Sequence, residues 1–214
     1  KSFGVRVISN SKRGYGANLH YGIMNSKSDI VFFADADGSY PFSEFKNFMK
    51  IILDEKTKVD FVLGNRFSNN IEKGAMPILN KYIGTPILTF FINYLFNSEI
   101  SDCNCGMRAI RTDSYKKLGL TSPGMEYASE MIIKSIKQGL IIKNHTFKFA
   151  KDLRSKEPHL DRWVDGWRHL RYILCSTNKN IIIAIPGLLT ILFFFLSLIT
   201  PLANYFLDSF PFHS

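Results

Sequence analysis

The sequence predicts an α/β fold, with a mostly parallel sheet flanked by helices. Short apolar segments typical of buried strands alternate with segments of helical periodicity, in the order strand, helix, strand, helix, strand. The chain has 214 residues, of which 46% are hydrophobic. That is enough apolar material for the core of one sizeable domain and an appendage.

Each element is assigned from its apolar pattern and its boundary residues. Pro41 suits the first turn of a helix, and the apolar residues after it recur at helical spacing. Gly139 ends another helix. The expected elements are a strand at 5–8, a helix at 17–25, a strand at 29–34, a helix from Pro41, a strand at 61–64, helices at 85–96, 114–118 and 126–138, and a strand within 140–149.

Two apolar segments predict membrane contact. Residues 85–96 are shorter than the roughly 20 residues that cross a bilayer, and their clustered aromatics favour an interfacial helix over a core helix. Residues 181–201 carry no charge and have the length of a transmembrane helix. The expected organisation is an α/β domain at 1–150, a basic and aromatic membrane-interface segment at 151–180, a transmembrane helix at 181–201 and a tail or loop at 202–214.

Asp35 and Asp37 are the leading candidates for a metal site. They follow the apolar run 30–33 and precede a Gly-Ser turn. Alternate residues of an extended strand share a face, so both carboxylates can point toward one ion. Mg²⁺ and Mn²⁺ prefer oxygen ligands and often bridge a carboxylate to a substrate diphosphate. The alternative is an ordinary pair of loop carboxylates, because a bare D-x-D is common.

Arg66 follows the predicted strand 61–64 and is expected on the same rim as the two aspartates, because ligands gather at the carboxyl ends of strands in α/β sheets. There it could bind a phosphate or form a salt bridge to one of those aspartates. Arg13 and Gly14 belong to a basic, glycine-punctuated loop before a helix. Such a loop binds an anion or is simply a solvated turn.

Further polar residues follow later in the chain. Asp102 could accept hydrogen bonds from sugar hydroxyls, while Arg108 could hold the glycine turn between them. Glu126 and Glu130 lie one helical turn apart, so we expect one to face the cleft and the other to be solvated.

The net charge of +9 fits nucleic acid, anionic lipid or phosphate-bearing substrates without choosing among them. The basic and tryptophan-rich stretch at 162–172 suits single-stranded nucleic acid or a membrane interface. The apolar span that follows favours the interface, so no nucleic-acid partner is expected. The basic residues before that span place its N-terminal side in the cytoplasm.

The segments occur in an order that resembles family 2 glycosyltransferases of the GT-A fold. Within that family the chain is similar to membrane-attached polyprenyl-phosphate sugar transferases of the dolichol-phosphate mannose synthase type. The matching segments are NSKRGYGANLHYGI, DIVFFADADGSYP, FVLGNRF, DCNCGMRAI, GMEYASEMIIKS and RSKEPHLDRWVDGWRHLRYIL. They cover almost the whole chain before the apolar tail and are together far more specific than a D-x-D.

The resemblance implies a nucleoside-diphosphate sugar donor, Mg²⁺ or Mn²⁺, a polyprenyl phosphate acceptor and inversion at the sugar. It also implies a membrane protein whose catalytic domain lies on the cytoplasmic side. Residues and resemblance together predict catalytic functions for Asp37, Asp102 and Arg66, donor contacts from Asp35, Asp37, Arg13, Gly14, Asp102 and Glu126, acceptor-phosphate contacts from Arg66, Lys81, Arg154 and Lys156, and metal ligation by Asp35, Asp37 and Ser39.

The chain departs from the family pattern at its start. The family's Pro-x-Tyr-Asn-Glu-like and Asp-Asp-Gly-Ser segments, which help bind the base and ribose, are not in this sequence. We therefore expect the parent protein to be active and this chain alone to be inactive. Two alternatives remain: a membrane glycosyltransferase acting on a hydroxyl of a glycan or glycolipid, with Asp102 as first candidate for the base it needs, or an inactive membrane-anchored fragment.

Overall fold

The computed structural model describes residues 4, 6–67, 71–153, 162–177 and 187–197. Of these, residues up to Ile173 form one compact unit and those from Leu174 onward belong to a second. The helices are α1 (Tyr15–Met24), α2 (Phe45–Ile52), α3 (Thr85–Phe96), α4 (Thr112–Lys117), α5 (Tyr127–Lys137), α6 (Arg162–Ser176) and α7 (187–197), and the strands are β1 (Ile30–Phe33), β2 (Phe61–Asn65), β3 (Arg108–Arg111) and β4 (Ile142–Thr146).

The described strands form one mixed sheet in the order β1-β3-β2-β4. β3 runs antiparallel to both of its neighbours, with Ile110 opposite Val31 on one side and Phe61 on the other. Only β2 and β4 pair in parallel among these strands. The prediction of an α/β fold is confirmed, but the prediction of a mostly parallel sheet is wrong for the described strands. Apolar periodicity marks a strand without revealing its direction.

Most predicted elements appear within a few residues of their expected positions. A 3-10 turn at Phe42–Glu44 leads into α2, and a π-helical turn at Asn80–Gly84 leads into α3. The expected first strand is an exception. Residues 6–8 are irregular, Val7 is 85% exposed, and no described strand pairs with them. Val5 lies outside the described residues.

The core lies between the sheet and its helices. β2 is buried from Phe61 to Gly64, and α2 and α5 contribute Phe48, Ile52, Met131 and Ile132 to the same cluster. At Gly64 of β2 an added Cβ would lie 2.6 Å from Cys105 Sγ and 2.7 Å from the Phe147 ring. These approaches leave no room for a side chain, so glycine is required where β2 nears the candidate site.

No helix among the described residues is long and apolar enough to span a membrane. Of the predicted span 181–201, only α7 is described, and its bulky apolar side chains are exposed. The rest of that span and the tail at 202–214 lie outside the described residues. The transmembrane helix is therefore not supported by the structure.

Candidate active site

Asp35 and Asp37 lie in the loop that follows β1, and both line one cavity of about 290 Å³. The buried Ser39 fixes the second carboxylate, because its N–H and hydroxyl donate to Asp37 Oδ1 at 3.0 and 2.5 Å. Ser39, predicted as a metal ligand, therefore orients Asp37 in this structure. Its hydroxyl lies beside the Asp37 carboxylate, and Ser39 itself lines the cavity.

A glycine turn before β3 packs against the acid loop. An added Cβ at Gly106 would lie 2.5 Å from Asp35 Oδ2, so any side chain there would displace the carboxylate. The Gly106 N–H donates to the hydroxyl oxygen of buried Tyr40 at 2.9 Å. Arg108 holds the same turn through the carbonyl oxygens of Cys103 and Cys105. The turn thereby sets the position of Asp35.

Arg66 follows β2 and forms a buried two-point ion pair with Asp102. Its Nε donates to Asp102 Oδ2 at 2.6 Å and its Nη2 to Oδ1 at 2.8 Å. Burial alone would lower the pKa of Arg66, but the Asp102 carboxylate, together with Tyr40, raises that pKa well above its ordinary value. The sequence left open a salt bridge to Asp35 or Asp37; the partner is Asp102. Arg66 also lines the cavity and lies over the Phe149 ring at 5.3 Å.

Asp102 is 0% exposed, and each of its oxygens accepts from Arg66. The Asn104 N–H also donates to its Oδ1 at 3.2 Å. Asp102 is a described residue that does not line the cavity. In this arrangement it holds Arg66 at the cavity wall, and contact with a substrate hydroxyl would require the ion pair to open.

The two glutamates of the α5 region support a loop. Glu130 is 1% exposed and accepts from the backbone N–H groups of Thr121 and Ser122, so the expectation of one solvated glutamate is wrong for it. Glu126 Oε1 accepts from the Gly124 N–H. Its Oε2 is buried and has no hydrogen-bond partner among the described residues. Neither glutamate is among the described residues that line the cavity.

The basic candidates that the structure describes, apart from Arg66, are not assembled at the cavity. Arg13 is exposed, and both it and Lys81 are described residues outside the cavity lining. Gly14 has φ +134°, and an added Cβ would clash with the Pro123 carbonyl oxygen, so this glycine allows close packing of α1 on the loop before α5. Arg154 and Lys156 lie outside the described residues.

Sequence reasoning missed the part of the cavity that α6 supplies. Asp165, Gly166 and His169 line it, as does Asp152, although residues 162–172 were expected at the membrane interface. His169 Nδ1 lies 2.8 Å from Ser129 Oγ on α5. Burial, with a smaller contribution from Arg108, lowers the pKa of His169 to about 4. The i, i+4 spacing of an aspartate and a histidine on one helix was the available signal.

The donor atoms of the acid loop fit a hard divalent cation bound together with a substrate. Within the described ranges no group of three or more His, Cys, Asp or Glu side chains could hold a metal ion. Mg²⁺ often uses one or two carboxylates and completes its shell with water and substrate phosphates. Asp35 and Asp37, with the Ser39 hydroxyl beside them, offer such oxygens along one cavity.

Comparison with known proteins identifies the family. Residues 1–119 match Glycosyl transferase family 2. The low-salt glycan biosynthesis hexosyltransferase Agl6 of Haloferax volcanii is 32% identical over 184 residues, which are 86% of this chain and 43% of that protein. A dolichyl-phosphate hexose transferase of the same organism is 25% identical over 166 residues, 78% of this chain and 69% of that protein. The chain thus spans less than half the length of the first relative.

Solved structures show the same fold. Glucosyl-3-phosphoglycerate synthase from Mycobacterium tuberculosis superimposes with a TM-score of 0.58 at 16% identity, over 79% of this chain and 57% of that chain. That protein has been crystallised with Mn²⁺, UDP and glucosyl-3-phosphoglycerate. At this identity the likeness concerns the GT-A-like fold alone. Because the family match covers more than half of the sequence, the chain belongs to glycosyltransferase family 2.

Proposed function

We propose that the protein transfers a hexosyl group from a nucleoside-diphosphate sugar to a polyprenyl phosphate at the cytoplasmic face of a membrane. The reaction uses Mg²⁺ or Mn²⁺ and inverts the sugar. The observation that carries this proposal is the placement of Asp35, Asp37 and Arg66 around one cavity. Family membership and the resemblance to a dolichyl-phosphate hexose transferase support it.

The acidic and basic residues of the cavity have different functions in this proposal. Asp35 and Asp37 would hold the cation, and Ser39 keeps the second carboxylate oriented. When bound, a divalent cation neutralises charge that develops on the departing diphosphate. Arg66, fixed by Asp102, presents a permanent positive charge at the same cavity and offsets repulsion between the two phosphate-bearing substrates.

A phosphate acceptor suits this site better than a hydroxyl acceptor. A phosphate monoester has a second pKa of about 6, so it is largely ionised near neutral pH and needs little help from a base. A hydroxyl must lose a proton, and Asp102 was the first candidate to take it. Asp102 is buried and paired with Arg66 through both oxygens, which does not favour that function.

Exposed aromatic side chains support contact with a membrane surface. On α3, Phe90 is 62% and Tyr94 is 74% exposed, and they lie one helical turn apart. On α6, Trp163 and Trp167 repeat this spacing and are also exposed. Tryptophan and tyrosine concentrate at headgroup depth in membrane proteins. We propose that these faces lie on the bilayer that holds the lipid tail of the acceptor.

The metal assignment is tested by Asp37→Asn in the full-length protein. The change keeps the shape of the side chain and removes its charge, so metal-dependent transfer to polyprenyl phosphate should fall by about 100-fold or more. Asp113→Asn, at an exposed aspartate of α4, is the matched control and should retain activity. Full activity in Asp37→Asn would show that the acid pair does not hold the metal.

The membrane surface is tested by sedimentation with phosphatidylglycerol vesicles. Tyr94→Ser on α3 should weaken vesicle binding, because an exposed ring at headgroup depth would be lost. Tyr21→Ser on α1 removes another exposed tyrosine and serves as the control. Equal binding by the two variants would mean that α3 does not contact the lipid.

A further inference from the structure

One wall of the cavity is formed by residues that the proposed chemistry does not use. Asp165, Gly166 and His169 come from one face of α6, and Asp152 follows β4. The Leu153 N–H donates to the Asp37 carbonyl oxygen at 2.8 Å. This bond places Asp152 directly beside the acid loop, so the wall adjoins the position expected for the metal and diphosphate.

His169 is buried in this wall and held in a fixed orientation. It is 5% exposed, and Ser129 Oγ lies within hydrogen-bond distance of its Nδ1. Because burial holds its pKa near 4, the ring is neutral at physiological pH. With Nδ1 engaged by Ser129, Nε2 is the ring nitrogen left to meet a ligand. A neutral imidazole in a fixed orientation exchanges hydrogen bonds with hydroxyl groups.

The charge of the wall argues against a phosphate as its occupant. Asp152 and Asp165 add two carboxylates to a cavity that already contains the acid pair. Asp165 also lies 3.4 Å from Arg168, a largely exposed side chain. A diphosphate bound here would meet like charge, whereas the hydroxyls of a neutral sugar donate hydrogen bonds to carboxylates.

Gly166 leaves space in the same wall. A Cβ built on Gly166 meets no heavy atom within 4 Å, although this residue is half-buried and lines the cavity. Alanine is a better helix former than glycine, so adding a methyl group here should not destabilise α6. The methyl group would instead occupy open space at a residue that lines the cavity.

We propose that this wall of α6, with Asp152, binds the hexosyl group of the donor and determines which sugar is transferred. Asp152, Asp165 and His169 bind its hydroxyls, and Gly166 provides the room for the ring. The inference rests on the proposed function, since it assigns the sugar of that donor to one side of the cavity.

The test compares nucleotide sugars with the bare nucleotides in the full-length protein. Calorimetric titration with Mn²⁺ measures the affinities for UDP-glucose, UDP, GDP-mannose and GDP. Gly166→Ala should weaken binding of the preferred nucleotide sugar about tenfold or more and leave the bare nucleotide unchanged. Gly22→Ala is the matched control, because Gly22 lies within α1, has an equally open Cβ position and is a described residue outside the cavity lining.

His169→Asn tests the same assignment independently of Gly166. Its amide can keep a hydrogen bond to Ser129 but cannot replace Nε2. The nucleotide sugar should again lose affinity while the bare nucleotide does not, a difference that a purely structural function would not produce. Thermal unfolding of each variant confirms that it is folded.

The possible results distinguish a failure of the sugar-binding assignment from a failure of the proposed function. Equal loss of affinity for nucleotide and nucleotide sugar, or no loss for either, would overturn the assignment of this wall to the sugar. If the wild-type protein binds none of the four nucleotide probes, the proposed function itself fails, and the assignment of the wall fails with it.

Discussion

Asp102→Asn tests whether the buried ion pair with Arg66 is an anchor or part of the chemistry. The substitution preserves the size of the side chain and removes its charge. The packing around this position therefore stays the same, while the Arg66 guanidinium loses its counter-charge. Both donor distances in the wild-type pair are under 3 Å, and Asp102 is fully buried.

The expected cost follows from this burial. Removing one partner of a buried pair leaves an uncompensated charge and typically costs about 3–5 kcal/mol. For a chain of this length, each kcal/mol lowers Tm by about 2–4 °C, so the melting temperature should fall by roughly 6–20 °C. Exposed pairs are worth about 1 kcal/mol or less, which makes the two cases easy to distinguish.

The assay is thermal and denaturant unfolding in parallel with transfer activity of the full-length protein, with Asp113→Asn as the exposed control. A double variant, Arg66→Met with Asp102→Leu, removes both charges and should be less destabilised than Asp102→Asn alone. If Asp102→Asn unfolds like the wild type but loses transfer activity, Asp102 participates in the reaction, and the anchoring argument is refuted.

Two further predictions concern buried titratable groups. Burial works to raise the pKa of Glu130, but hydrogen bonds from Lys134 and the 121–122 loop outweigh it and hold the pKa below its ordinary 4.5. Glu130→Gln should therefore cost about 1–3 kcal/mol of unfolding free energy near neutral pH, and the cost should shrink as pH falls below about 4.5; a cost independent of pH would contradict this. For His169 the folded-state pKa near 4 lies below the ordinary 6.5, so the unfolded chain takes up the proton first and stability falls as pH drops from 6.5 to 4. The loss should reach about 3 kcal/mol in urea unfolding and be absent from the pH profile of His169→Asn, and parallel profiles would refute it.

The acid loop and Arg66 could be placed from sequence because local rules govern them. An apolar strand followed by a glycine turn indicates where a chain leaves the sheet, and ligands gather at such ends. Asp35, Asp37 and Arg66 do line one cavity. The resemblance to family 2 glycosyltransferases was also confirmed.

Tertiary pairing could not be predicted in the same way. Nothing in the residues around Asp102 shows which arginine it meets, since its partner lies 36 residues away. The direction of β3 likewise depends on its neighbours. Around α6, the tryptophans and arginines predicted a membrane interface, and the tryptophans are indeed exposed. The same pattern gave no reason to expect that Asp165 and His169 line the cavity.

The glycine turn before β3 links the two sides of the cavity. A side chain at Gly106 would clash with the Asp35 carboxylate, while Asp102, at the start of the same turn, forms the ion pair with Arg66. The short backbone segment 102–106 therefore joins the position of Asp35 to that of Arg66. If Asp35 and Arg66 bind donor and acceptor as proposed, both contacts depend on this one backbone segment, and an insertion or deletion within it should disturb them together even if every charged group were retained.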